Sequence, residues 1–261
     1  MFSALLTDIG VTGLVIALAV MTLAGFVKGA VGFAMPMVAV SGLGSALPPA
    51  YAVAGLLLPA LLTNIWQALR DGWGPAWETF LNWWQYTLTI VVIIGLVAPF
   101  VAIMSLALLF MTLGVGVTGF ALLQLSGWQP SAVMVANPGA ERISAAFSGL
   151  FGGLAAVTGP PVVVYLLARD VAKAEQVRVQ GIIFFLGLAM LVGVHGTTGV
   201  LNAVTLPLSL ALIPAAFGGM AMGLFIQDRM NQAAFRKATL MVLVVAGLNL
   251  LRRGIEALQG G

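Results

Sequence analysis

One lysine of this chain lies inside an apolar run, where Lys28 stands between Val27 and Gly29 with no carboxylate nearby in the sequence. A charged side chain near the middle of a membrane helix costs about 2.5–3.5 kcal/mol on insertion scales, so such a residue is by default a candidate for function. The alternative is that the ammonium extends along its flexible side chain to the membrane surface. A cation without an acidic partner is suited to bind an anion, and Lys28 is therefore our first candidate substrate-binding residue.

Two stretches rich in glycine and proline interrupt apolar segments, one at residues 29–36 and the other at residues 158–161. Glycine permits close approach of helices and proline lacks an N–H donor, so each stretch predicts a break in a helix. A helix that begins after a break directs free N–H groups and the positive end of its dipole toward an anion. The alternative is that these residues only kink and pack membrane helices. The candidate substrate-binding residues at the breaks are Gly32, Pro36, Thr158, Gly159 and Pro160.

A few other polar residues stand in or beside the apolar segments. Asn64 and Gln67 share one face of a predicted helix, where amides either join helices to each other or donate hydrogen bonds to a substrate. Gln180 is a similar but weaker case. His195 is the one histidine of the chain, and near the end of a predicted span it either titrates and binds substrate or is structural. Asn64, Gln67 and His195 complete the set of candidate binding residues.

The composition predicts a protein that lies in a lipid bilayer. Of 261 residues, 61% are hydrophobic and 7% are charged, whereas soluble domains are about 25% charged. The net charge of +3 is the balance of eleven Lys and Arg against eight Asp and Glu. The eleven cations are too few and too scattered for a nucleic-acid-binding surface, and a small cationic excess is typical of positive charge retained in cytoplasmic loops. The expected partners are the bilayer and a small molecule.

The sequence lacks the signatures of an enzyme. With no cysteine and a single histidine, it excludes most hydrolytic and metal-binding arrangements, and it has neither a nucleophile elbow nor a phosphate-binding loop. The acidic residues all fall in or near predicted loops, which argues against a buried carboxylate proton relay. We therefore predict that the protein is not an enzyme and uses no cofactor or metal.

Apolar segments of about 20 residues without period-2 alternation predict membrane-spanning helices. The segments lie at 9–29, 33–47, 50–69, 82–100, 103–124, 143–158, 160–168, 178–198, 204–226 and 236–251. Tryptophans cluster around one of the turns, a pattern typical of an aromatic belt at the membrane surface. They are Trp66, Trp73, Trp77, Trp83 and Trp84.

The two glycine-rich stretches are related by a constant offset of 124 residues, which aligns Gly25 with Gly149. The same offset superimposes the apolar segments that follow each stretch. A duplicated chain explains this agreement better than coincidence does. We predict one integral membrane domain with a first membrane repeat at 1–126 and a second at 127–261.

The broken helix pair of each repeat either crosses the membrane or forms a re-entrant hairpin. With Lys28 left aside, the hairpin places eight lysines and arginines on one face and two on the other, a stronger positive-inside bias than the crossing gives. Three full spans then remain in each repeat, and an odd number of spans inverts the second repeat relative to the first. The predicted fold is an all-α polytopic membrane protein with two pseudo-symmetric, inverted repeats. Each repeat has a Gly/Pro-broken helix pair plus three transmembrane helices, and both termini are extracytoplasmic.

Small residues form a possible contact face at Gly218, Gly219 and Gly223. Such a face supports either a homodimer or tight helix packing within one protomer. The sequence is compatible with both interpretations.

Three segments resemble the TauE/SafE sulfite exporter family, and the resemblance covers nearly the whole chain. They are Gly25-Phe-Val-Lys-Gly-Ala-Val-Gly-Phe33 with Pro36, Leu58-Pro-Ala-Leu-Leu-Thr-Asn-Ile-Trp-Gln67, and Gly149-Leu-Phe-Gly-Gly153 with Gly159-Pro-Pro161. The resemblance implies that sulfite, sulfoacetate or another small organosulfonate crosses a bacterial inner membrane. The absence of cysteine argues against a mechanism similar to that of the thiosulfate importers, which rely on cysteine contacts.

The residues and the resemblance together predict a facilitator or secondary carrier for a small sulfur-containing anion, with a site near the membrane midplane between the two broken helices. An inside-negative potential favours efflux of a monovalent anion by about 2.3 kcal/mol per 100 mV. Export is therefore slightly favoured over import as the predicted direction. A channel-like anion pore is one alternative. A membrane scaffold or sensor subunit that does not transport is the other.

Overall fold

The computed structural model describes residues 2–103, 105–128, 137–194 and 202–259, and these residues form helices and no strand. The α-helices are α1 (Phe2–Val31), α2 (Met35–Gly44), α3 (Pro49–Leu69), α4 (Trp73–Asn82), α5 (Trp84–Val97), α6 (Leu106–Leu125), α7 (Pro138–Ala155), α8 (Gly159–Ala168), α9 (Lys173–Val194), α10 (Leu206–Arg229) and α11 (Gln232–Gln259). A 3-10 helix at Ala98–Ile103 follows α5. The predicted all-α fold is confirmed.

Six of the described helices are long and apolar enough to cross a bilayer, namely α1, α3, α6, α9, α10 and α11. A bent pair, α4 and α5, meets at an angle of 77° and forms a seventh candidate if the two helices make one broken span. Helices α2 and α8 have ten residues each, which is about 15 Å and half of a hydrocarbon layer of about 30 Å. The chain is therefore a multi-pass membrane protein.

Each of the ten predicted apolar segments falls on a helix, and α4 is the helix that the apolar pattern missed. Helix α4 mixes Trp73 and Trp77 with Glu78, and this amphipathic pattern does not register as an apolar run. The side chains of Trp73 and Trp77 are 73% and 55% exposed, as in an aromatic belt. Trp83 is buried in the core and faces the protein rather than lipid, and its place in an aromatic belt stays a prediction.

The chain divides into two compact units that do not follow the order of the sequence. One unit contains α1, α2, α3 as far as Trp66, and α10. The other contains the end of α3 from Gln67, helices α4 to α9, and α11. Each unit therefore combines segments from both predicted repeats.

A close backbone contact joins α1 to α10 in the first unit. A Cβ atom on Gly219 would lie 2.0 Å from the carbonyl oxygen of Thr22, and Cβ atoms on Gly25, Gly29 and Gly223 would lie within 2.3 Å of a backbone oxygen of the facing helix. No side chain fits at these positions, so the two helices pack backbone against backbone.

This contact explains two of the three glycines in the predicted contact face. Gly219 and Gly223 pack against α1 of the same protomer, whereas a Cβ atom on Gly218 would meet no atom within 4 Å. Packing within the protomer accounts for the crowded pair, and the homodimer stays a prediction.

The second unit has a corresponding contact between α5 and α7. A Cβ atom on Gly149 would lie 2.8 Å from the carbonyl oxygen of Ile90, and one on Gly153 would lie 2.9 Å from that of Ile94. The offset of 124 residues pairs these two glycines with the crowded glycines of α1. The same local packing therefore occurs once in each unit.

The helix bounds repeat with the same offset. The end of α1, the start of α2 and the start of α3 recur 124 residues later as the end of α7, the start of α8 and the start of α9. This agreement supports a duplication of the chain. The repeat boundary after residue 126 and the inversion of the second repeat stay predictions. The re-entrant hairpin also stays a prediction. Helix α1 alone has the length of a complete span, so it is long enough to cross the membrane instead of entering and leaving on one side.

A cluster of aromatic and charged side chains ties together the ends of α5, α7, α8 and α9 in the second unit. The guanidinium of Arg169 lies 5.6 Å from the ring centroid of Trp83 and donates to the hydroxyl of Tyr165 at 3.1 Å and to Glu141 at 3.3 Å. Trp83 donates its indole N–H to Glu175 at 2.7 Å. Because these groups satisfy one another, we interpret the cluster as structural.

We expect Gly219→Ala to destabilise the protein in detergent, because the added methyl group has no room against the backbone of α1. The loss should be about 1–3 kcal/mol or more, as for other overpacked contacts. Gly218→Ala is the matched control, since its methyl group enters open space and alanine favours a helix by about 0.5–1 kcal/mol over glycine. Thermal unfolding followed by size-exclusion chromatography measures both variants. Equal melting temperatures would contradict the contact between α1 and α10.

Candidate functional site

Lys28 lies in the last turn of α1, and its side chain is 3% exposed. Its ammonium donates one hydrogen bond to Oγ1 of Thr63 at 3.0 Å and another to Oδ1 of Asn64, and both acceptors lie on α3. The side chain is therefore held inside the protein by α3 and does not extend to the surface. The structure brings together two of the predicted site residues, Lys28 and Asn64.

The positive charge of Lys28 has no counter-ion among the described residues. Helices α2 and α3 contain no acidic residue, and Asp8, the one acid of α1, lies near the opposite end of that helix and accepts a hydrogen bond from Tyr51. The C-terminal carbonyls of α1 offset about 0.3–1 kcal/mol, whereas the effective penalty for burying an ion is several kcal/mol. A buried cation left in this condition is a candidate to bind an anion.

The hydrogen bonds of Thr63 fix the direction in which its hydroxyl interacts with the lysine. Its Oγ1 donates to the carbonyl oxygen of Pro59, one turn earlier in α3, at 2.6 Å. A hydroxyl has one proton, so toward Lys28 it acts as an acceptor. The same oxygen lies 3.5 Å from the sulfur of Met35, which places the first residue of α2 beside the lysine.

Lys28 also fixes the orientation of the Asn64 amide. An ammonium only donates hydrogen bonds, so Asn64 must turn its carbonyl oxygen toward Lys28 and its NH₂ group away. Asn64 is 4% exposed, and its NH₂ group makes no hydrogen bond with the described residues. Two donor N–H bonds are therefore available next to the ammonium.

The chain between α1 and α2 supplies further buried donors. The backbone takes left-handed conformations at Gly32 (φ 87°) and Ala34 (φ 71°), and the N–H of Gly32 donates to the carbonyl oxygen of Lys28 at 2.7 Å. The N–H groups of Phe33, Ala34 and Met35 find no acceptor in the described part of the chain, although all three residues are buried. More than 90% of buried backbone N–H groups are paired in native proteins, so three consecutive unpaired donors are unusual.

We call the group formed by Lys28, residues 33–35, Thr63 and Asn64 the lysine junction. The side-chain oxygen atoms of Thr63 and Asn64 each accept a hydrogen bond from the ammonium. The hydrogen-bond donors that remain without a partner among the described residues are the third N–H of the ammonium, the Asn64 NH₂ and the backbone N–H groups at the start of α2. A site that offers donors and a positive charge is suited to the oxygen atoms of an anion.

Two predicted residues lie at the margin of this group. Gly32 is buried and makes the left-handed turn that ends α1. Pro36 is in the first turn of α2 and is exposed, and as a proline it contributes no N–H. Gly32 therefore forms the turn of the junction. Pro36 fixes the backbone angle φ in the first turn of α2, as proline commonly does at the start of a helix.

Gln67 is not part of the junction. Gln67 is buried, and its amide N–H donates to the carbonyl oxygen of Val177 at 2.9 Å, so it joins α3 to α9 in the second unit. This is the helix-joining alternative for a buried amide. His195 lies outside the described residues.

The second break has the backbone of the first but not its cation. Helix α7 ends at Ala155, Ala156 is left-handed (φ 53°), and Thr158 precedes α8. Pro160 is buried, whereas Thr158 and Gly159 are half-buried. The offset of 124 residues places a glycine where the first repeat has Lys28, so any anion site at this break depends on backbone donors alone.

Sequence reasoning missed Thr63 and Met35. Thr63 directly precedes Asn64 in an apolar segment, so its polarity was a usable signal, but a threonine in a helix often bonds only to its own backbone. Met35 carries no polar signal at all. Its place beside the lysine follows from where α2 packs.

A second group of buried polar atoms occurs on α9. Gln176 and Gln180, one turn apart, have no exposed surface, and their amide atoms have no partner among the described residues. Sequence reasoning singled out Gln180 but not Gln176, which precedes the predicted start of its apolar segment at residue 178.

Comparison with known proteins gives one match. The family model described as sulfite exporter TauE/SafE covers residues 17–250 of the chain. The matched region includes Lys28, both helix breaks and the three segments quoted above. Comparisons with curated proteins and with solved structures give no significant match.

We expect Lys28→Met to raise the melting temperature in detergent without added anion. Methionine keeps much of the length of the side chain and removes a buried charge, whose cost in a membrane helix is about 2.5–3.5 kcal/mol on insertion scales. Lys237→Met is the matched control, because Lys237 is exposed on α11 and surface substitutions usually change stability by less than about 0.5 kcal/mol. A lower melting temperature for Lys28→Met than for the control would contradict the interpretation of Lys28 as an uncompensated charge.

Proposed function

Because the chain belongs to the TauE/SafE sulfite exporter family of membrane transporters, we propose that it carries sulfite or a small organosulfonate across the bacterial inner membrane and binds it at the lysine junction. The observation that carries the proposal is a buried ammonium that has no counter-ion among the described residues and lies beside the donor NH₂ group of Asn64. A sulfite or sulfonate group presents three oxygen acceptors, and these donors complement them.

In the bound state, the anion accepts a hydrogen bond from the third N–H of Lys28 and another from the NH₂ of Asn64. The N–H groups of Phe33 and Met35 are the nearest unpaired backbone donors in sequence to this pair. Hydrogen bonds that involve an ionised group are about twice as strong as neutral ones. They compensate the anion for the water that it loses on entering a buried site.

Irregular backbone at membrane depth occurs where it is buried in protein or lines a pathway, and discontinuous helices near the midplane are common at the binding sites of secondary transporters. The half-length of α2 supports a midplane position for its N-terminus, since a helix of about 15 Å that starts at one surface ends near the middle of the bilayer. Thr158, Gly159 and Pro160 at the second break remain part of the proposal as further backbone donors. Gln67 and His195 remain in it as polar residues of the pathway.

A carrier fits the junction better than an open pore. A charged group that is held by hydrogen bonds in a buried position binds its anion and releases it again, which limits the rate at each passage. Such a protein saturates with substrate and exchanges one anion for another, whereas a pore conducts with little saturation. Export proceeds without a coupling ion, because the membrane potential drives a monovalent anion outward.

We expect proteoliposomes with the wild-type protein to take up radiolabelled sulfite with saturation, and to take it up faster when unlabelled sulfite is inside. Lys28→Met should lower the transport rate at limiting substrate by at least about tenfold, since a hydrogen bond to a charged group contributes about 1.5–3 kcal/mol. Lys237→Met should transport as the wild type does. No flux above that of empty liposomes for sulfite or any sulfonate would contradict the proposed function. Wild-type flux in Lys28→Met would place the site elsewhere.

A second substitution tests the junction without removing its lysine. Asn64→Asp is nearly isosteric and gives Lys28 a fixed counter-ion, so we expect the fold to persist and sulfite transport to fall by at least about tenfold, since close charge pairs couple by about 1.5 kcal/mol or more. Asn231→Asp is the control, because Asn231 is exposed directly before α11 and aspartate is also favoured before a helix. Melting temperature and sulfite uptake are measured for both. Unchanged uptake in Asn64→Asp would contradict direct binding of the anion by Lys28.

A further inference from the structure

We infer that the lysine junction selects anions with a single negative charge and rejects dianions. Bisulfite and sulfonates such as isethionate are therefore its substrates, and sulfate and sulfoacetate are not. The inference rests on the proposed binding of an anion at Lys28. It goes further, because it assigns the charge state of the substrate.

The lysine junction has one formal charge. Helices α2 and α3 contain no Asp, Glu, Lys, Arg or His, and the hydroxyl of Tyr51 at the start of α3 donates to Asp8. On α10, which packs against α1, the charged residues are Asp228 and Arg229, and both are exposed at its end. They follow Gln227, whose amide donates to the carbonyl oxygen of Ala30 at 3.4 Å. The described helices in contact with the end of α1 therefore place no second charge beside Lys28.

The helix dipoles do not add to this charge. The C-terminus of α1 and the N-terminus of α2 are separated by three residues, and they bring partial charges of about −0.5 and +0.5 to the same place. These contributions largely cancel. The net charge that faces a ligand is therefore close to that of one ammonium.

A monoanion and Lys28 form a neutral pair, whereas a dianion leaves one negative charge unpaired in a buried environment. An unpaired buried ion carries an effective penalty of several kcal/mol even after the protein relaxes. A penalty of this size corresponds to a discrimination of at least about a hundredfold, since every 1.4 kcal/mol is about tenfold. Neutral donors such as Asn64 stabilise part of the second charge, but they supply no opposite charge to it.

The pH dependence of sulfite uptake tests this selectivity. Near neutral pH it is a mixture of bisulfite, HSO₃⁻, and sulfite, SO₃²⁻, and the monoanion becomes more abundant as the pH falls. If the junction accepts only the monoanion, uptake at a fixed total concentration rises as the pH is lowered from about 8 to about 6. Sulfonic acids are strong acids, so isethionate remains a monoanion throughout and reports any titration of the protein itself.

The experiment compares matched anions in proteoliposomes that contain the intact wild-type protein. Isethionate and sulfoacetate share a two-carbon sulfonate skeleton, but isethionate ends in a neutral hydroxyl group and sulfoacetate in a carboxylate. Methanesulfonate and sulfate share a tetrahedral sulfur and differ by one charge. We expect kcat/KM to be at least about a hundredfold higher for the monoanion of each pair. We also expect the ratio of sulfite uptake to isethionate uptake to follow the bisulfite fraction as the pH changes, because isethionate corrects for any titration of the protein.

The outcomes separate the two proposals. Saturable transport of sulfite and isethionate, with sulfoacetate and sulfate transported equally well, would overturn the charge selectivity and leave the proposed function intact. A pH-independent sulfite flux would do the same. Absence of flux for every anion of the panel would overturn the proposed function, and the selectivity with it.

Discussion

The backbone contact between α1 and α10 sets the rotation of α1 about its own axis, and the candidate site depends on that rotation. Gly25 and Gly29 can only face the backbone of α10, because no other direction provides space for so close an approach. Lys28 directly precedes Gly29 on the helix, about 100° around the axis, so it is turned away from this contact. That rotation directs its side chain to α3, where Thr63 and Asn64 accept its hydrogen bonds.

The lysine junction is unfavourable for folding, and under the proposed function the same buried charge and donors favour the binding of an anion. A bilayer provides no water to satisfy polar groups, so a buried ammonium and unpaired N–H groups lower the stability of the empty protein. An anion that supplies the missing charge and acceptors regains this free energy on binding. Functional sites often depart from the rules that stabilise the rest of a fold, namely close packing and the pairing of buried polar groups. The close glycine packing and the satisfied aromatic cluster around Trp83 are examples of those rules.

The two compact units show how the duplicated elements are combined. The crowded glycine helix of the first repeat, α1, packs on α10, which lies in the second half of the sequence. Its counterpart α7 packs on α5, which lies in the first half. The two predicted repeats therefore share the close glycine contact between helices. They differ in charge at the helix break, because the position that corresponds to Lys28 is a glycine in the second repeat. The predicted duplication, with later divergence of single residues, is consistent with a charge at one break and only backbone at the other.

The sequence by itself determined that this is a membrane protein, the ten apolar segments, the two breaks, the offset of 124 residues and the presence of Lys28 and Asn64 as polar residues inside apolar segments. These are local properties, because hydrophobicity over a helix length, a proline or a buried charge acts where it stands in the chain. The tertiary structure alone decided that Thr63 and Met35 lie beside Lys28, that Gln67 bonds to Val177 and that Trp83 is buried. The amphipathic α4 also emerged only there. These features depend on which face of a helix meets which partner, and that choice is made by packing between residues that are far apart in the sequence.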